Sequence, residues 1–154
     1  VSMKYDNVRV GVNSRLDTIQ AAVLLAKLDA FEQYEFSAVN RAASLYNETL
    51  AGSGLVLPKI PEGFCSSWAQ YTVQLPEDSD RDALQGALKE KGVPTMVYYP
   101  KPMHEQKAFE GVHLCPDGCP VVKRLCDTVL SLPMGPYLIR EDLEFSARTL
   151  MGLL

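Results

Sequence analysis

Residues 16 to 51 contain neither proline nor glycine, and no other feature constrains this chain as strongly. Helix-breaking residues return only at Gly52-Ser53-Gly54. Within the stretch, Leu16, Ile19, Ala22, Val23, Ala26 and Ala30 recur at steps of three and four, the spacing of an amphipathic helix. The run exceeds an ordinary globular helix. It predicts either one long helix or two helices meeting between Phe31 and Phe36, where aromatics crowd. Ser14 is the expected N-cap. Asp17, three residues on, completes a capping box and places a negative charge in the first turn.

In front of this helix, Asn13, Ser14 and Arg15 present an amide, a hydroxyl and a guanidinium. Free backbone N–H groups at a helix N-terminus favour an anion there. Taken alone, simple capping with a solvated Arg15 is the commoner arrangement.

The remaining chain alternates strands with helices. Val8, Val10 and Val12 suggest a short strand, and Leu55 to Pro61 a short extended segment. Residues 66–75 read as a strand favoured by Trp68, Tyr71, Thr72 and Val73. Residues 78–91 read as a helix with a Ser79/Asp82 capping box, a buried stripe of Leu84, Ala87 and Leu88, and Gly92 as its stop. A strand over 94–99, a short turn at 106–109, a helix over 119–128 and a strand over 129–132 follow. A closing helix over 139–154 carries Glu141 and Asp142 in its first turn, with Leu143, Ala147, Leu150 and Met151 facing inward. This order predicts an α+β fold, a long linking helix plus a small antiparallel sheet covered by helices. Residues 1–52 would form an interface loop and the long helix, and residues 53–154 a small α+β domain.

With 154 residues, one domain with a real core is affordable. A net charge of -4 without a basic cluster argues against nucleic acid as a partner. The longest apolar run, Ala21 to Ala26, is too short to cross a bilayer. No secretory leader opens the chain, so a cytoplasmic location is expected. Of four cysteines, Cys115 and Cys119 lie near His113, but a second ligand pair at metal-binding spacing is missing and no metal is expected. A Cys115–Cys119 disulfide is conceivable, although reduced thiols are the expectation.

The string G-V-N-S-R-L-D-T-I-Q-A-A-V-L-L-A-K-L, with R-A-A-S-L-Y at 41–46, resembles the DegT/StrS sugar-nucleotide aminotransferases. Y-Y-P-K-P-M-H-E-Q-K-A-F and S-L-P-M-G-P resemble that family's next landmarks, in the same order. The resemblance spans nearly the whole chain but only the C-terminal part of the family's usual length. It implies the small C-terminal domain of the aspartate-aminotransferase-like (type I) fold, with pyridoxal 5'-phosphate (PLP) as cofactor in a homodimer. The large PLP-binding domain would be absent here, and the chain, opening at Val1-Ser2-Met3, reads as a fragment.

The resemblance also assigns roles. PLP chemistry requires a lysine that forms a Schiff base and a carboxylate at the pyridine nitrogen. Both would lie upstream of this chain. Lys4, Lys27, Lys89, Lys101 and Lys107 match no such motif and read as surface groups. No catalytic residue is therefore assigned, and the fragment alone is expected to be inactive. Asn13 would reach the cofactor phosphate of the neighbouring subunit. Arg15 would meet a substrate carboxylate or phosphate bidentately. His104 would lie near the sugar nucleotide, with Gln106 two positions on supporting the register. Tyr98 and Tyr99 lead into that segment; alternation on a strand would let only one face a site.

The implied reaction moves an amino group, from glutamate, to a keto sugar nucleotide. The wording of the helix resembles the branch acting on UDP-3-keto-glucuronate derivatives. The products would serve lipopolysaccharide, O-antigen or glycoside biosynthesis. The alternative is a non-catalytic dimerisation or regulatory module of the same fold.

Overall fold

A computed structural model describes residues 4–112 and 118–154. His113 and Cys115, and with them the zinc and Cys115–Cys119 readings, lie outside the described residues. The long run is one continuous helical rod with a defect. Helix α1 (Thr18–Ala30) passes into a π-helical turn (Phe31–Glu35) and then into α2 (Phe36–Thr49). The Phe36 N–H bonds to the Phe31 carbonyl, the five-residue step of a π turn, and brings the two rings edge-to-face at 5.6 Å. The aromatic crowding thus marks a wider turn within one rod.

The rod starts later than expected. Asp17 is the N-cap, its carboxylate accepting from the Gln20 N–H at 2.8 Å, so Ser14 is not the cap. Ser14 stands outside because Arg15 adopts a left-handed φ of 54°. The Arg15 N–H bonds Asn13 Oδ1 at 3.1 Å, an Asx-type turn that competes with helix entry.

Strands β1 (Tyr71–Gln74) and β2 (Val129–Leu132) pair antiparallel, with Thr72 opposite Ser131 and their hydroxyls 2.7 Å apart. Single bridges extend the ribbon at both edges, Val56 to Gln74 and Met96 to Ser131. Residues 94–99 therefore form one bridge instead of the expected strand. Residues 8–12 form no strand either, and Val8, Val10 and Val12 are exposed. Alternation alone does not make a strand where no edge lies alongside to accept its hydrogen bonds.

Helix α3 (Arg81–Glu90) is capped by Asp80, which accepts from the Ala83 N–H at 2.9 Å; the Ser79/Asp82 box does not form. It ends in a Schellman motif. The Val93 N–H reaches the Leu88 carbonyl at 2.9 Å and the Gly92 N–H reaches Lys89 at 3.0 Å, with Gly92 at φ 82°. Helix α4 (Pro120–Thr128) has Pro120 in its first turn, and α5 (Arg140–Met151) closes the fold.

Helix α2 packs on α5. Val39, Ala42, Ala43 and Tyr46 from α2, with Leu143, Ala147 and Leu150 from α5, join Tyr71, Val73, Leu130 and Leu132 of the sheet in one core. Polar handles fix the aromatics in that core. Tyr46 donates to the Pro133 carbonyl at 2.8 Å, Tyr71 to Asn47 Oδ1 at 2.6 Å, and Trp68 Nε1 to Asn40 Oδ1 at 3.0 Å. No residue of α1 is buried. No helix among the described residues is long and apolar enough to cross a membrane.

Candidate functional site

A cleft of about 780 Å³ opens between the N-terminal segment, the 98–106 loop and α4. Tyr5, Tyr98 and Tyr99 form its aromatic wall, with ring centroids 5.1 to 6.1 Å apart and edge-to-face. Lys101 and His104 bring cationic and titratable groups, Asn7 an amide, and Val122, Leu125 and Val129 an apolar floor. Among the described residues no carboxylate lines it. Such a cavity suits a ligand with a flat or apolar part and an anionic part.

Gln106 builds this site. It is 2% exposed, and its side chain staples the N-terminal segment to the loop. Its Oε1 accepts from the Asn7 N–H at 2.8 Å, while Nε2 donates to the carbonyls of Tyr5 at 3.0 Å and Lys101 at 3.4 Å. The Ala108 N–H adds a bond to the Asn7 carbonyl at 2.9 Å. A buried amide with both ends satisfied ties the two segments together. Arg81 ties the end of α4 to α3 by donating to the Cys126 carbonyl, with its guanidinium 2.9 Å from Asp82.

Tyr98 and Tyr99 both line the cleft, Tyr98 half-buried and Tyr99 exposed. The expectation that only one could face a site rested on strand alternation, and no strand forms here. A cis peptide bond joins the two. His104 also lines the cleft, its Nε2 3.8 Å from Glu105 Oε1. Cys126 stands in the same wall, and burial pushes its thiol up from its ordinary value. Cys65 and Cys126 are free thiols, but Cys119 is disulfide-bonded, which corrects the expectation that the cysteines stay reduced. Among the described residues no cluster of three or more His, Cys, Asp or Glu side chains could hold a metal ion.

Asn13 and Arg15 do not line the cleft. They sit on the exposed tip ahead of α1. Asn13 spends its oxygen on the Arg15 N–H, which leaves its Nδ2 as a donor, and both Asn13 and Arg15 are exposed. Two donors without a protein acceptor among the described residues suit an oxyanion. Tyr5, Asn7 and Lys101 escaped sequence reasoning, because nothing local in the N-terminal segment says that it folds back on residue 106. The only signal was Gln106 itself, an amide two positions after His104.

Residues 1–149 match the sequence profile of the DegT/DnrJ/EryC1/StrS aminotransferase family. A UDP-2-acetamido-2-deoxy-3-oxo-D-glucuronate aminotransferase from Pseudomonas aeruginosa is 43% identical over 137 residues, covering 88% of this chain and 36% of that protein. A UDP-N-acetyl-3-dehydro-alpha-D-glucosamine 3-aminotransferase from Acidithiobacillus ferrooxidans is 40% identical over 152 residues, covering 96% of this chain and 40% of that protein. The crystal structure of a DegT DnrJ EryC1 StrS aminotransferase from Brucella abortus superposes with a TM-score of 0.79 at 43% identity, covering 99% of this chain and 39% of the other. The chain thus spans roughly two-fifths of the length of the relatives it matches.

Proposed function

This chain belongs to the DegT/DnrJ/EryC1/StrS aminotransferase family, and from that premise we propose that it is the small-domain part of a PLP-dependent enzyme that aminates a keto sugar nucleotide. The observation that carries the proposal is the pair of unpaired donors on Asn13 and Arg15, ahead of α1, in a chain 43% identical to a 3-oxo-glucuronate aminotransferase. PLP, when bound, would supply the chemistry by which an amino group passes between a donor such as glutamate and the ketone. This chain supplies binding groups. The Asn13 amide would help to hold the cofactor phosphate of a neighbouring subunit. Arg15 meets the uronate carboxylate with a bidentate fork. Tyr98, Tyr99 and His104 hold the nucleotide sugar. The enzyme acts as a homodimer in the cytoplasm, in lipopolysaccharide or O-antigen assembly.

Turnover tests the proposal. The complete protein is expected to absorb near the visible edge with PLP and to aminate a UDP-3-keto-glucuronate derivative. Arg15→Lys, which keeps the charge and loses the fork, is expected to raise KM by about 10- to 100-fold, the loss of one charged hydrogen bond. Use of a 4-keto sugar with rejection of the 3-keto uronate overturns the substrate assignment. A complete protein that binds no PLP overturns the enzyme and leaves a dimerisation or regulatory module.

A further inference from the structure

Glu35 is the only charged side chain among the described buried residues, at 6% exposed, and it lies in the π turn. Two groups converge on it from two directions. Lys27 of α1 and the Tyr137 hydroxyl both donate to its Oε1. Tyr137 belongs to the loop between β2 and α5. Lys27 Nζ also reaches the Tyr137 hydroxyl at 3.1 Å and stands 5.5 Å from the centre of its ring. The Tyr34 and Tyr137 hydroxyls lie 3.2 Å apart. One loop is thereby clasped to the rod where α1 becomes α2.

The π turn makes the clasp geometrically possible. In an uninterrupted α-helix, residues eight apart are about 80° out of phase. The wider turn adds fewer degrees per residue and rotates Glu35 back towards the face of Lys27. Among the described residues of this chain, α1 has no buried residue beyond the clasp, and its main packing neighbour is the π turn itself. The direction of α1 is therefore fixed at its base. Thirteen residues make a lever of about 20 Å, so a swing of about 10° moves the Asn13-Arg15 tip by about 3 Å.

We propose that Lys27, Glu35 and Tyr137 are positioning residues that set the direction of α1 and so place Asn13 and Arg15 relative to the anion they bind. The functional consequence rests on the role proposed for those two residues; the mechanical part does not. Because about 1 Å of misplacement is enough to lower a rate about 100-fold, a tip on a long lever needs such a fixture.

The test is a distance measurement on the 154-residue chain. Spin labels at Gln20→Cys in α1 and Lys89→Cys in α3, in a background in which the two free thiols are removed by Cys65→Ser and Cys126→Ser, report the angle of the rod by pulsed electron resonance. Dilution into unlabelled chain isolates distances within one molecule. The parent is expected to give one narrow distance. Tyr137→Phe, which keeps the ring and removes the hydroxyl, and Glu35→Gln are each expected to broaden the distribution at least about twofold or shift its mean by about 3 Å, in chains that circular dichroism shows to be still folded. Lys27→Met is expected to broaden it and Lys27→Arg to preserve it. A narrow, unshifted distribution in Tyr137→Phe and Glu35→Gln overturns the proposal. This reading needs no substrate, so it fails or holds separately from the aminotransferase assignment.

Discussion

Glu35 shows how one buried charge ties stability to pH. The Lys27 ammonium first, and the Tyr137 hydroxyl second, hold its carboxyl below its ordinary value of 4.5. The same contacts, Glu35 first, raise Lys27 well above its ordinary value of 10.5. A depressed carboxyl contributes stability that is present above its unfolded pKa and lost as pH falls through the folded value. The lysine's share is present below its unfolded pKa and is lost only as pH rises past its raised one. Urea unfolding of the wild type and Glu35→Gln is thus expected to show a gap at pH 7 that shrinks towards pH 3. A gap unchanged at pH 3 would show that the charge is irrelevant. Tyr46 is a second residue with a readable cost. Burial pushes its phenol up to about 12, so it remains a donor to the Pro133 carbonyl across neutral pH. Tyr46→Phe leaves that carbonyl without its partner and is expected to cost about 1–2 kcal/mol in chemical denaturation. At this scale the sequence was partly legible. Asn13, Arg15 and His104 stood out by residue type and motif, whereas Glu35 looked like any helical carboxylate until Tyr137, 102 residues away, bonded it.

Element boundaries were decided by caps. Ser14 and Ser79 each precede an acidic residue by three, and both look like capping boxes. In each case an aspartate takes the cap, Asp17 for α1 and Asp80 for α3. An aspartate combines a hydrogen-bond acceptor with a charge that the helix dipole favours, which suits it to the cap at least as well as serine. Asp80→Ala is accordingly expected to cost about 1 kcal/mol, while Ser79→Ala costs little; thermal melts of the two variants check this directly. Equal losses would restore Ser79 as the cap. The Gly92 stop was legible because a Schellman turn needs a left-handed residue there. The 94–99 strand was not. Its composition favours extension, yet only Met96 finds a partner, at Ser131, before the chain leaves the sheet to build the cleft.

For the whole molecule, α1 is the unfinished part. Ile19 is 78% exposed and Leu25 71%, and Val23, Leu24 and Leu28 are exposed too, on a helix with no buried residue. Apolar surface of this extent seeks cover. The chain is expected to self-associate, and sedimentation at high concentration should show species heavier than a monomer. Ile19→Lys combined with Leu25→Lys should release monomer without loss of fold, because exposed positions tolerate the change. A clean wild-type monomer would show that the face needs no partner. The sequence by itself determined the long rod, the α+β class, the order of helices, the glycine stops and the family resemblance, because these follow from short-range periodicity, backbone preference and motif. Tertiary structure alone decided that residues 5–7 fold onto Gln106 to complete the cleft, that both Tyr98 and Tyr99 face it, and that Tyr137 clasps the base of the rod. These are contacts across about a hundred residues of chain. Their geometry is set by how the core packs, and no local pattern encodes that.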